Sequence, residues 1–184
     1  RSRALIRVLI LTFATPVAAF LAAACAPYFQ PKKFHSTPEL YAASLAEFGR
    51  KRWDNAISGF ERLTLDLSAR DSLLSRAYWY LSRAHAERGE NMLAATSYLR
   101  LAELFPDDSL ADDAILAAGD SYSKMWRDPS LTADYGSLAQ MQYRLLQSIY
   151  PDSPLARTAD EGARRVDEWL ATKEYTTGVY YMKR

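Results

Sequence analysis

The segment Phe105-Pro106-Asp107-Asp108-Ser109-Leu110-Ala111 returns 45 residues later as Tyr150-Pro151-Asp152-Ser153-Pro154-Leu155-Ala156. The same offset carries Ala94 to Ala139, Tyr98 to Tyr143, Leu101 to Leu146 and Ala114 to Ala159. A step of 38 toward the amino terminus carries Ala94 to Ala56, Tyr98 to Phe60, Arg100 to Arg62 and Leu101 to Leu63. Three segments therefore share a small residue, an aromatic four positions on, and a leucine three further. Those spacings put the three side chains on one face of a helix. A copy with one apolar face cannot bury it alone, so a chain with this repeat must stack its copies.

Local signals bound the helices. Thr37-Pro38-Glu39 reads as a hydroxyl cap, a proline in the first turn and early negative charge. Asp108 or Ser109 caps a helix that carries Asp112 and Asp113 in its first turn, and Ser153-Pro154 repeats the pattern. Each Phe/Tyr-Pro pair stops the helix before it, because the residue preceding proline is pushed out of the helical region. These signals predict helices near 38–50, 53–67, 73–89, 91–105, 109–126, 132–149, 154–170 and 171–184. Strict apolar–polar alternation, the mark of a strand, is absent. With 49% hydrophobic and 24% charged residues, the composition is that of a folded chain.

The amino-terminal stretch follows a different logic. Arg1, Arg3 and Arg7 are followed by an apolar run through Val8-Leu9-Ile10-Leu11, Phe13, Val17 and Phe20-Leu21, then Ala22-Ala23-Ala24-Cys25. A basic start, an apolar middle and a small-residue end predict an export signal over residues 1–24. The run is nearly long enough for a membrane-spanning helix, but Pro16 interrupts it. Small residues before the only cysteine resemble the lipobox of bacterial lipoproteins, which implies lipidation of Cys25. Leu21 sits one step further from the cysteine than the leucine of that pattern. Ala26, rather than Asp, after the cysteine implies outer-membrane delivery. Residues 25–36, with Pro27 and Pro31, then form an extended lipidated tether. Without residues 1–24 the chain loses three arginines and turns slightly acidic, so lipid chains rather than surface charge would hold it at the membrane.

Several chemistries are disfavoured. A net charge of +1 argues against a polybasic nucleic-acid binder. One cysteine and two histidines make neither an internal disulfide nor a Cys/His zinc site. Gly119-Asp120-Ser121 looks like one esterase nucleophile motif, but no histidine follows His85 and the segment falls mid-helix. His35 reads as tether and His85 as a helix-surface or groove residue. Asp107, Asp108, Asp112 and Asp113 lack calcium-loop spacing. No catalytic residue, cofactor or metal is expected.

The small–aromatic–Leu–Pro order resembles the second helix of a tetratricopeptide repeat. That implies an all-α, right-handed α-solenoid of helix pairs over residues 37–184. The repeats would span 37–70, 75–108 and 109–153, the third lengthened by an insertion around Arg127-Asp128-Pro129. A fourth would begin near 154 or 171. The whole arrangement adds Leu40-Tyr41-Ala42, the Trp53–Phe60 helix and the run Leu170-Ala171, Glu174, Gly178, Tyr180-Tyr181 and Arg184. Together these resemble the lipoproteins of the outer-membrane β-barrel assembly machine, the BamD (ComL) family. Members of that family continue with further repeats, which implies that this chain is either truncated at its carboxy terminus or a short member.

In that register the groove receives Tyr41, Leu45 and Phe48 from the first repeat and Arg76, Trp79 and Arg83 from the second. Rings beside guanidinium groups suit an extended peptide. Alternatively, Tyr41 and Phe48 only pack between repeats. The resemblance implies a periplasm-facing, lipid-anchored outer-membrane protein. Its amino-terminal repeats would receive unfolded outer-membrane protein peptides, and its carboxy-terminal repeats the barrel-forming partner's periplasmic domains. The other reading is a scaffold lipoprotein of a different envelope complex.

Overall fold

The computed structural model describes residues 29–184. The predicted leader over 1–24 and the predicted lipidation site Cys25 lie outside the described residues. Residues 29 and 30, the described end of a first unit, Arg1–Gln30, have no regular secondary structure. The second unit, Pro31–Arg184, opens with a 3-10 turn at Pro31–Lys33. Seven helices follow among the described residues. They are α1 (Thr37–Gly49), α2 (Trp53–Asp66), α3 (Ser72–Glu87), α4 (Asn91–Leu104), α5 (Ala111–Met125), α6 (Asp134–Ile149) and α7 (Ala156–Met182). Each helix packs on the next in sequence, α1 also touches α3, and α5 also touches α7. First helices of successive pairs therefore meet, as in an α-solenoid of helix pairs.

The repeat residues build the core. Ala56, Phe60 and Leu63 on α2, Ala94, Tyr98 and Leu101 on α4, and Ala139, Tyr143 and Leu146 on α6 are all at most 4% exposed. The recurring Pro-Asp turns also contact one another. The Tyr150 hydroxyl donates to the Pro106 carbonyl at 2.5 Å, and Ser153 Oγ donates to Asp112 Oδ2 at 2.6 Å. The motif thus recurs because its copies stack.

Four boundaries differ from the sequence expectation. Ser36, not Thr37, caps α1, its Oγ accepting from the Glu39 amide at 3.4 Å. Asp108 and Ser153 each accept an amide two residues on, from Leu110 at 2.9 Å and Leu155 at 3.1 Å. They shape turns, and α5 and α7 begin just after them. The expected helices 154–170 and 171–184 are one continuous helix of 27 residues, α7. Leu170-Ala171-Thr172 carries neither cap nor breaker, so nothing ends the helix there. The insertion forms the loop between α5 and α6, tied by Lys173 Nζ donating to the Leu131 carbonyl at 2.7 Å.

The turns after α1 and α3 are copies of one another. Lys51 has φ of 58° and Gly89 φ of 84°. The Arg52 amide donates to the Glu47 carbonyl at 3.0 Å and the Glu90 amide to the His85 carbonyl at 2.9 Å. Both are left-handed helix terminations that satisfy the last carbonyls. The side chains pair across the same two positions. Glu47 faces Arg52 at 3.6 Å and also accepts from Arg50 at 2.8 Å and Asn55 at 2.5 Å. His85 Nδ1 lies 2.8 Å from Glu90 Oε2. His85, expected on the surface or in the groove, is buried, because the turn folds Glu90 back onto it.

Burial raises the Glu47 pKa, but the hydrogen bonds from Asn55 and Arg50 and the nearby arginine charges outweigh it, and the net shift is downward. A carboxylate depressed in the folded state contributes stability above its unfolded pKa and loses it as pH falls through the folded value. Glu47→Gln should cost about 1–2 kcal/mol at pH 7. It should also flatten the loss of stability below about pH 4.5, the ordinary glutamate range. Denaturant unfolding of both proteins from pH 7 to 3 measures this. An equal cost at every pH would contradict the depressed carboxylate.

Candidate functional site

Helices α1 and α3 open the first two pairs and lie in contact. Tyr41 and Phe48 stand two turns apart on α1 and so project from one face. Both reach Tyr80 of α3, with ring centroids 6.4 and 5.3 Å away. Phe60 of α2 lies beneath, stacked on Tyr80 at 5.6 Å with planes 16° apart and edge-on to Tyr41 at 5.9 Å. Trp53 closes the cluster edge-on against Phe48 at 5.1 Å. Centroid separations of this size are favourable aromatic geometries.

Arg83 sits one turn beyond Tyr80. Its guanidinium carbon lies 5.2 Å from the Phe48 centroid and 5.9 Å from that of Tyr80, within cation–π range. Arg76 is exposed, one turn before Tyr80. Burial, and then Tyr80, raise the Tyr41 pKa, and the Arg76 charge opposes them. Arg76 therefore lies on the border of the same patch.

The structure brings together Tyr41, Phe48 and Arg83, with Arg76 at the edge and Leu45 half-buried between the two α1 rings. Tyr41 and Phe48 do pack between the first two pairs, and each remains only half-buried. Trp79 turns elsewhere. It packs edge-on against Tyr98 of α4 at 5.4 Å and joins the core of the following pairs. Tyr80, central to the cluster, is not among the residues the sequence places in the groove. It follows Trp79 directly and falls four after Arg76 and three before Arg83, the spacing of a shared face.

Gly119-Asp120-Ser121 lies within α5, as expected, and its polar atoms are engaged locally. Ser121 Oγ donates to the Ala117 carbonyl at 2.7 Å, and Asp120 accepts the Tyr143 hydroxyl at 2.8 Å. No helix among the described residues is long and apolar enough to cross a membrane. The patch therefore offers ring faces and a cation, a chemistry of recognition. The Arg83 guanidinium lies over the Phe48 and Tyr80 rings, and guanidinium groups pair carboxylates and peptide carbonyls.

A family model described as YfiO, outer membrane lipoprotein, matches residues 34–184. Among solved structures, the tetratricopeptide-repeat domain of Arabidopsis OM64 is similar, with a TM-score of 0.52 and 16% identity over 70% of this chain and 94% of that chain. At that identity the likeness speaks to fold alone. A search of curated proteins finds no match.

Proposed function

The chain belongs to the YfiO family of outer membrane lipoproteins, and from that membership we propose that it is a non-enzymatic subunit of the β-barrel assembly machinery, anchored through Cys25 and facing the periplasm. Its first two helix pairs receive extended segments of unfolded outer-membrane proteins. Its carboxy-terminal pairs dock the periplasmic domains of the barrel-forming partner. The observation that supports the receptor role most is the half-buried ring cluster of Tyr41, Phe48 and Tyr80 with Arg83 laid across it. Aromatic and arginine side chains of this kind dominate peptide and protein interfaces.

Arg83→Ala should weaken binding of a carboxy-terminal peptide from an outer-membrane protein about five- to tenfold, the scale of one charge-assisted contact. Titration calorimetry with the full chain in detergent reads this. Trp79→Ala is the comparison, and it should act through stability, because Trp79 packs on Tyr98. Unchanged affinity in a folded Arg83→Ala protein would remove the groove from this patch.

A further inference from the structure

Short connections make neighbouring helices antiparallel, so α2, α4 and α6 all end on the side where α1 begins. The 3-10 turn Pro31–Lys33 rests on α2 there and shares a recess with Arg62 and Asp66 near its end. The ends of α4 and α6 adjoin on the same side through the Tyr150–Pro106 and Ser153–Asp112 bonds. Each of these three helices carries an exposed aliphatic side chain in its final turn. Leu65 is 80%, Leu104 38% and Ile149 52% exposed. Single surface leucines are ordinary, but these three stand along one end of the solenoid. Leu65 is the most exposed of them. The repeat shifts of 38 and then 45 put Glu103 and Ser148 at its station, so the other copies are polar where Leu65 is not.

Charge changes along this end. Lys32 and Lys33 in the turn and Arg70 in the α2–α3 connection are exposed and form no ion pair among the described residues. The carboxylates around them are engaged. Asp66 holds Arg62 at 2.6 Å, Asp71 accepts the Leu73 amide at 2.8 Å, and Glu39 accepts the His35 amide at 3.4 Å. The turns after α4 and α6 instead expose Asp107 and Asp152. Cys25 precedes Pro31 by six residues, a reach of at most about 22 Å. An acyl anchor at Cys25 keeps this end near the bilayer at a high effective concentration. An apolar tip beside unpaired cations matches the layer where acyl chains meet lipid phosphates.

We propose that the Leu65 end of the first pair lies on the phospholipid surface. Leu65 enters the acyl boundary, Lys32, Lys33 and Arg70 meet the phosphates, and the acidic turns of the later pairs tilt away. The contact rests on the proposed anchor at Cys25 and adds to it which end of the solenoid faces the membrane.

The test uses the full acylated chain in vesicles of phosphatidylethanolamine with a minority of phosphatidylglycerol. Cys25 is the only cysteine, and its sulfur carries the lipid, so a nitroxide labels only an introduced thiol. Ser68→Cys places the label beside Leu65, and Asp152→Cys places it in the acidic turn after α6. Power saturation with oxygen and a water-soluble nickel chelate should put the label at 68 about 5–10 Å into the headgroup–acyl boundary and the label at 152 in water. Leu65→Gln should return the label at 68 to water while the thermal midpoint stays within about two degrees. Both labels in water, on chains that float with the vesicles, would overturn the contact and leave the anchor standing. Equal depth at 68 and 152, or a label at 68 that stays deep in Leu65→Gln, would overturn the assignment to Leu65. Chains that do not float would overturn anchor and contact together.

Discussion

Tyr143→Ala is expected to cost about 3–5 kcal/mol of folding stability, the range for losing a large buried aromatic. The ring is 1% exposed and passes between two glycines. A Cβ on Gly119 of α5 would lie 2.7 Å from Tyr143 Cε1, and one on Gly162 of α7 would lie 2.8 Å from Cζ. Real Cβ atoms do not come that close, so three helices meet through one ring with no room to spare. The hydroxyl adds a bond to Asp120. Denaturant unfolding measures the loss, and a double-mutant cycle tests its cause. Gly162→Ala alone should cost about 1–3 kcal/mol by overpacking. In the Tyr143→Ala background it should cost almost nothing, because the obstructing ring is gone. Additive effects would show that Gly162 is not held small by Tyr143.

Phe60→Ala is the second large effect, about 3–4 kcal/mol. Phe60 is fully buried and carries the cluster, stacking on Tyr80 and edging Tyr41. Phe60→Leu keeps most of the volume and should cost under about 1.5 kcal/mol. The two lesions should also differ in place. A solenoid is stabilised by intrinsic and nearest-neighbour terms. Phe60→Ala should therefore speed amide hydrogen exchange in α1 and α2 while α5 to α7 stay protected. Tyr143→Ala should do the reverse. Uniform loss of protection from either change would contradict a chain of locally coupled pairs.

The sequence carried the core well because its pattern is physical. Small, aromatic and leucine residues at helical spacing must share a face, and all nine that repeat are buried. The Pro-Asp turns were legible for the same reason, since proline ends a helix wherever the pair lands. What escaped notice depended on contacts distant in sequence or on the absence of a signal. The break expected at 171 is absent, and α7 runs through it because Leu170-Ala171 supplies no helix terminator. Tyr80 and Trp79 are adjacent, and which of them turns toward α1 depends on how α3 is rotated against its neighbours. His85, expected on the helix surface or in the groove, is buried against Glu90, a partner reached only through the left-handed turn at Gly89. Trp126 marks a helix end in the sequence, and only the approach of α7 shows that it packs edge-on against Trp169.

The proposed role of this tetratricopeptide lipoprotein lies within the barrel-assembly machinery. The most direct measurement is affinity purification of the full-length chain from native envelope membranes in mild detergent, with quantitative mass spectrometry of what accompanies it. The account predicts that the barrel-forming outer-membrane partner co-purifies in near-stoichiometric amount. Its absence, with a different envelope complex recovered in its place, would contradict the account.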